Sequence, residues 1–157
     1  EQLKKLSGIV EDRCQFVEKL KEGFKDLKTL KIPDLLPGAE PSYWWWRLEV
    51  NTDMISCDKE TYCRALIEEG ISLNPSYRSA MPHNMDWFKN RSVFGTSRYP
   101  WAAPEYKGDR NRQFPCPNAL LATEHQFNLT VFESWGDEEA EDIIKAFKKV
   151  ENAFIKK

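Results

Sequence analysis

The stretch Ser42-Tyr43-Trp44-Trp45-Trp46-Arg47-Leu48-Glu49-Val50 decides how this chain folds. Its residues are β-formers almost throughout, with no Gly or Pro to interrupt them. Side chains alternate across a strand. Tyr43, Trp45, Arg47 and Glu49 therefore share one face, and Trp44, Trp46, Leu48 and Val50 share the other. The second set is wholly apolar and is expected to face a core. Core packing is thus the reading for the tryptophans. An aromatic platform for a sugar ring is the alternative, and alternation keeps all three from serving it together.

Upstream, apolar residues recur every three or four positions at Leu3, Leu6, Val10, Cys14, Val17, Leu20, Phe24 and Leu27. This spacing predicts a long amphipathic helix over 2–27. Its length, about 40 Å, suggests that one end lies against a surface outside this chain. Leu30 and Ile32 read as a short strand, and Pro33, Pro37, Gly38 and Pro41 then enforce a loop.

Downstream, Asp58 can cap a helix that ends near Glu69 with Gly70 as its stop, and Tyr62, Leu66 and Ile67 form its apolar stripe. Ile71-Ser72-Leu73 reads as a strand. Residues 74–118 are proline-rich and follow no period, and a long irregular segment of this kind more often carries function than not. A helical turn or two is expected at Asn118 to Leu121. A strand follows over Gln126 to Phe132, with Phe127, Leu129 and Val131 on one face. Asp137 opens a last helix with stripe Ala140, Ile143, Ile144, Phe147, Val150 and Phe154, acids in its first turn and Lys148 and Lys149 near its end. The fold class is α+β: a small mixed or antiparallel sheet with helices packed mainly on one side, and long N-terminal and C-terminal helices. The 157 residues are read as a single domain.

Composition excludes several functions. Twenty-three Lys and Arg stand against twenty-five Asp and Glu, a net charge of −2, which lacks the basic footprint of a nucleic-acid binder or a polybasic membrane protein. No apolar run approaches the roughly 20 residues of a membrane span. Cys14, Cys57, Cys63 and Cys116 include no C-x-x-C pair, so a zinc site has no support; they read as reduced thiols in a cytoplasmic protein. The chain opens on Glu1 without a secretory signal, which favours an excised piece of something longer.

No catalytic group or metal ligand set stands out. There is no G-x-S-x-G elbow, and the seven glycines are scattered singly, so no phosphate loop is present. Tyr77, Arg78, His83 and Asn84 gather in the irregular stretch and suit a polar ligand carrying hydroxyls or phosphate; a loop that satisfies its own backbone uses the same residue types. Arg110 and Arg112 could clamp a phosphate, although a solvated loop is the commoner fate of such a run. Asn90-Arg91-Ser92 and Asn128-Leu129-Thr130 match the N-glycosylation pattern by chance, given the cytoplasmic reading.

The order of these segments resembles the C-terminal small domain of the DegT/StrS family of pyridoxal-phosphate (PLP) dependent sugar aminotransferases. The residues that carry the resemblance run from end to end. Gln2-Leu3, Leu6 and Arg13 are similar to the family's helix leading out of the large domain, and Leu30 to Pro33 to its Leu-x-x-Pro passage. Ser42 to Val50 is similar to its aromatic strand, Ala65 to Ile71 to its A-L-x-x-x-G-I helix exit, Cys116-Pro117-Asn118-Ala119 to its C-P-x-A turn, and Trp135 to Val150 to its last helix. Tyr77 to His83 falls where the family places a substrate-side loop.

The resemblance implies a fold-type I homodimer that uses PLP and an amino donor such as glutamate to aminate a keto-sugar, usually nucleotide-linked, or a cyclitol. It implies that the Schiff-base lysine and most of the phosphate cup lie in an N-terminal domain outside this chain. The segment alone is then expected to be inert and to bind no cofactor, supplying a wall of the substrate site through Tyr77, Arg78, His83 and Asn84. A stand-alone sugar- or nucleotide-binding module and a non-catalytic relative are the competing readings.

Overall fold

The computed structural model describes residues 1–78 and 81–157. After a single 3-10 turn at Gln2–Lys5, helix α1 runs over Leu6–Phe24. Its stripe is buried only from Phe16 onward, through Val17, Leu20 and Phe24. Leu3 and Leu6 remain 85% and 52% exposed. The spacing therefore anticipates the helix, but its apolar stripe enters the core only from Phe16 onward.

Four strands follow: β1 (Leu30–Lys31), β2 (Trp45–Val50), β3 (Leu73–Asn74) and β4 (Gln126–Thr130). They form one sheet in the order β1-β2-β4-β3, antiparallel throughout. The register pairs Trp46 with Leu129 and Leu48 with Phe127, so one face carries Trp46, Leu48, Val50, Phe127 and Leu129, all buried. Against it lie α1 and α5 (Asp137–Phe154): Phe24 stacks on Trp46, and Phe127 on Phe147. The sheet is antiparallel with helices on one side, as the α+β reading expects.

The alternation expected for residues 42–50 fails at its start. Tyr43 has φ of 45°, a left-handed conformation that shifts the side chains before Trp45 by one position. Tyr43 is consequently buried edge-on against Trp46, with its hydroxyl accepting a hydrogen bond from Lys21 Nζ at 3.1 Å. Trp44, expected on the core face, is 65% exposed. Of the three tryptophans only Trp46 enters the core.

Helix α2 (Lys59–Glu68) is capped as read: Asp58 Oδ1 accepts from the Thr61 N–H at 2.7 Å, and Gly70 follows with φ of 91°. Cys63, not Ile67, completes its buried stripe, and Ile67 faces outward. Burial pushes the Cys63 thiol up to about 12 against the opposing pull of the neighbouring Lys59, so this thiol is packing material and not a nucleophile. Behind α2 the Glu151 carboxylate of α5 accepts from the Lys28 N–H, the Thr29 N–H and the Thr29 hydroxyl, at 2.9, 2.9 and 2.7 Å. The Thr29 hydroxyl also meets the Tyr62 hydroxyl at 2.9 Å, joining α5, β1 and α2 through one buried threonine.

These elements make one of two compact units, Glu1–Pro75 with His125–Lys157. The second is Ser76–Glu124, which holds a 3-10 turn at Pro82–Asn84, the short helix α3 (Asp86–Lys89), a 3-10 turn at Gly95–Ser97 and most of α4 (Pro117–His125). Helix α4 is longer than the turn or two that the sequence suggests.

Helix α1 meets α5 at a glycine. A Cβ on Gly23 would stand 2.2 Å from Ile144 Cδ1, 2.5 Å from Cγ1 and 3.2 Å from Cγ2. Three atoms of one β-branched side chain cannot all clear that position by a single rotation. Gly23→Ala gains about 1 kcal/mol of helix propensity but incurs about 1–3 kcal/mol of overpacking. The variant is expected to melt lower, by about 2–4 °C per kcal/mol lost; a calorimetric scan showing an unchanged or higher Tm contradicts this packing.

Candidate functional site

The irregular stretch folds around an arginine. Arg91 is only 5% exposed, in a left-handed conformation with φ of 57°. Its guanidinium lies 5.1 Å from the Phe88 ring centre and 5.0 Å from that of Trp101. Phe88 in turn packs edge-on against Trp101 and Phe114. Arg91 Nη1 donates to the Phe88 carbonyl at 2.5 Å, and Nη2 donates to the Arg112 carbonyl at 2.7 Å. Aromatic faces and two carbonyls thus hold residues 88, 101, 112 and 114 together through one cation, without the repeating apolar pattern of a helix or strand.

Beside it opens a cavity of about 460 Å³, a size common for small-ligand sites. His83, Asn84, Phe88, Lys89, Arg91 and Arg112 line it, with Gln113, Phe114 and Pro115 completing the wall. No carboxylate lies in this lining. Two polar atoms of these residues, His83 Nε2 and Arg91 Nε, are buried beneath the surface and have no hydrogen-bond partner among the described residues.

Two of the four residues singled out in the sequence, His83 and Asn84, are therefore brought together at the cavity. Tyr77 is half-buried and Arg78 exposed, and neither lines it. Arg112, read as half of a phosphate clamp, lines the cavity through a side chain stacked over Phe114 at 5.2 Å. Arg110, its expected companion, lines a separate cavity with Arg98 and Trp101. Sequence reasoning passed over Lys89 and Arg91. Asn90-Arg91-Ser92 drew notice only as a glycosylation pattern, and the usable signal was a cation flanked by Phe88 and Trp101.

The larger unit has its own open feature, a cavity of about 440 Å³ lined by Lys21, Asp34, Trp44, Trp45, Arg47 and Asn128 among others. Trp44 and Trp45 stack on each other at 5.2 Å and 19°, and both are exposed. Arg47 Nε donates to Asn128 Oδ1 at 3.2 Å across β2 and β4. This face presents apolar area and a cation to whatever covers it.

No protein-family model and no curated protein matches the sequence. Solved structures do. The aminotransferase TlmJ from Streptoalloteichus hindustanus superposes with a TM-score of 0.68 at 19% identity, over 97% of this chain and 34% of its own. A DegT DnrJ EryC1 StrS aminotransferase from Brucella abortus gives 0.64 at 17% identity, over 94% and 32%. The chain carries the fold of the DegT/StrS-type aminotransferases over about a third of their length. A GDP-4-keto-6-deoxymannose-3-dehydratase shares the fold, with a TM-score of 0.59 at 17% identity over 93% of this chain and 33% of its own. The aminotransferase-type fold thus agrees with the order of motifs read along the sequence, including the strand, the α2 exit at Gly70 and the last helix.

Arg91 organises the smaller unit. Removing a guanidinium that holds two carbonyls is expected to cost that unit about 2 kcal/mol. In Arg91→Ala, hydrogen exchange should accelerate across 86–114 while the amides of β2 and β4 keep their protection. Unchanged exchange across 86–114 would show that the cation does not organise this unit.

Proposed function

We propose that residues 1–157 are the C-terminal domain of a longer PLP-dependent aminotransferase of the DegT/StrS type, acting in the cytoplasm on a keto-sugar, usually nucleotide-linked, or on a cyclitol. The observation that carries this reading is the fold match along 97% of this chain and only about a third of the matching enzymes. Exposed apolar side chains also support it: Leu3 in the 3-10 turn and Leu6 at the start of α1, with Trp44 and Trp45 on the sheet side, suit surfaces that a preceding domain would cover.

In this reading the segment supplies one wall of the substrate site through His83 and Asn84, which line the cavity, while Tyr77 and Arg78 stand outside its lining. The preceding domain, in a homodimer, brings the cofactor. PLP supplies the electron sink for transamination and needs a lysine and an acid at its ring nitrogen. The donor set here does not fit it: the cavity has no carboxylate, and the buried Lys59 donates its Nζ to the Gln126 carbonyl at 3.3 Å. No step is therefore assigned to this chain beyond binding and orienting the substrate. The dehydratase neighbour favours a second outcome for the parent enzyme, loss of water in place of amination.

The test begins with the coding sequence upstream of Glu1 and expression of the whole reading frame. The expected protein carries a PLP-lysine absorbance band and converts a keto-sugar nucleotide and glutamate to the amino sugar. His83→Ala and Asn84→Ala should raise KM about tenfold or more without altering the absorbance band. A frame that opens immediately before Glu1, or variants with unchanged kinetics, would refute the reading, and a dehydrated product would select the second outcome.

A further inference from the structure

The larger unit carries a groove that the substrate wall does not use. A cavity of about 280 Å³ opens where the chain leaving α2 passes the first two turns of α5. Its floor is apolar: the half-buried Trp135 indole and the edges of Ile71 and Ile143, which are 7% and 6% exposed. Its rim carries the carboxylates of Glu69, Glu139 and Asp142, all on exposed residues. Among the described residues no Lys or Arg enters this lining.

The fold explains only part of that rim. Acids in the first turn of α5 answer the helix dipole, and Glu139 Oε2 accepts from the Gly136 N–H at 2.8 Å. Asp142 and Glu69 lie outside that turn. Their partners are Lys145 Nζ at 3.3 Å and Lys149 Nζ at 2.7 Å, on lysine side chains that are 69% exposed. Exposed pairs of this kind contribute little, so either carboxylate can turn to a better-placed cation at small cost. The surroundings favour such a cation. Residues 133–142 hold six Asp and Glu and no Lys or Arg, and the larger unit has sixteen Lys and Arg against twenty-one Asp and Glu. An apolar slot beneath a negative rim fits a basic side chain: the methylene stem covers Trp135, Ile71 and Ile143 while the charged head stays among the carboxylates. Arginine suits it better than lysine, because a planar guanidinium stacks on indole and meets a carboxylate through two hydrogen bonds.

We propose that this groove is a docking site for an arginine side chain of a partner protein, seated on Trp135 and held by Glu69, Glu139 and Asp142. The cavity lies near the lower end of ligand-site volumes, which suits one inserted side chain. The site is independent of the aminotransferase reading, since none of its residues belongs to the substrate wall.

Nuclear magnetic resonance titration of the isotope-labelled 157-residue chain tests it. The probes are the peptide acetyl-Gly-Gly-Arg-Gly-Gly-amide and its citrulline counterpart, which keeps the shape and loses the charge. The arginine peptide is expected to bind with a Kd of about 1 mM at low salt, and the citrulline peptide about fivefold or more weaker. The saturable shifts should fall on the Trp135 indole N–H and on the amides of Gly70 to Ser72 and Glu139 to Asp142. Glu139→Gln/Asp142→Asn should weaken binding about fivefold or more, and glutamine at 139 can still cap α5. Asp34→Asn/Glu40→Gln removes the same charge outside the groove and should change affinity by less than about twofold. Equal binding of the two peptides, no saturation at about 10 mM, or equal losses in the two double variants overturns the proposal. The titration is then repeated on the protein from the whole reading frame. Retained binding upholds the proposal, and loss of binding there shows that the preceding domain fills the groove and overturns a separate partner. No cofactor or keto-sugar enters the titration, so it can succeed where the amination assay fails, and the reverse.

Discussion

One dry sheet face must be sealed by two helices, and that constraint shapes the larger unit. Trp46, Leu48, Val50, Phe127 and Leu129 present apolar surface that three short antiparallel pairings cannot shield. Helices α1 and α5 do so with Phe24 and Phe147, whose ring centres lie 4.5 Å apart. Rings this bulky at the contact leave room for close approach only where a side chain is missing, and Gly23 under Ile144 is that place. The polar anchors follow the same geometry. Arg13 on α1 grips Glu133 beyond β4 at 2.6 and 3.0 Å, and the Glu133 carboxyl is held below its usual range by a backbone hydrogen bond first and by Arg13 second. Glu151 on α5 clamps the entry to β1.

The smaller unit solves the same problem with different materials. Its described residues form no sheet and no long helix, so a cation in an aromatic setting performs the work that an apolar layer performs elsewhere. That device leaves a net positive cavity wall and ties the order of this unit to Arg91. A hydrophobic residue of similar volume could fill the space but could not hold the Arg112 carbonyl or attract an anion.

Much of the larger unit was legible because its physics is periodic. Spacing of two marks Trp46, Leu48 and Val50, and spacing of three and four marks Ala140, Ile143, Phe147 and Val150. The errors occurred where a neighbour or a backbone angle decides. Tyr43 adopts a positive φ that tyrosine rarely shows, which no residue type announces, and Trp44 was turned outward as a result. Cys63 and Ile67 both suit an α2 stripe, and the structure buries Cys63 and leaves Ile67 exposed. His83, Asn84 and Arg112 were legible as polar groups in an aperiodic stretch. Arg91 was not, because an arginine is presumed exposed until its aromatic neighbours are known to surround it.

The central claim is that the cavity between residues 83 and 115 is a wall of the substrate site. The most direct measurement is a crystal structure of the protein from the whole reading frame with a nucleotide-linked keto-sugar bound. The account predicts ligand atoms within about 3–4 Å of His83, Asn84 or the Arg112 guanidinium. A ligand seated without contact to any residue from 83 to 115 would contradict it.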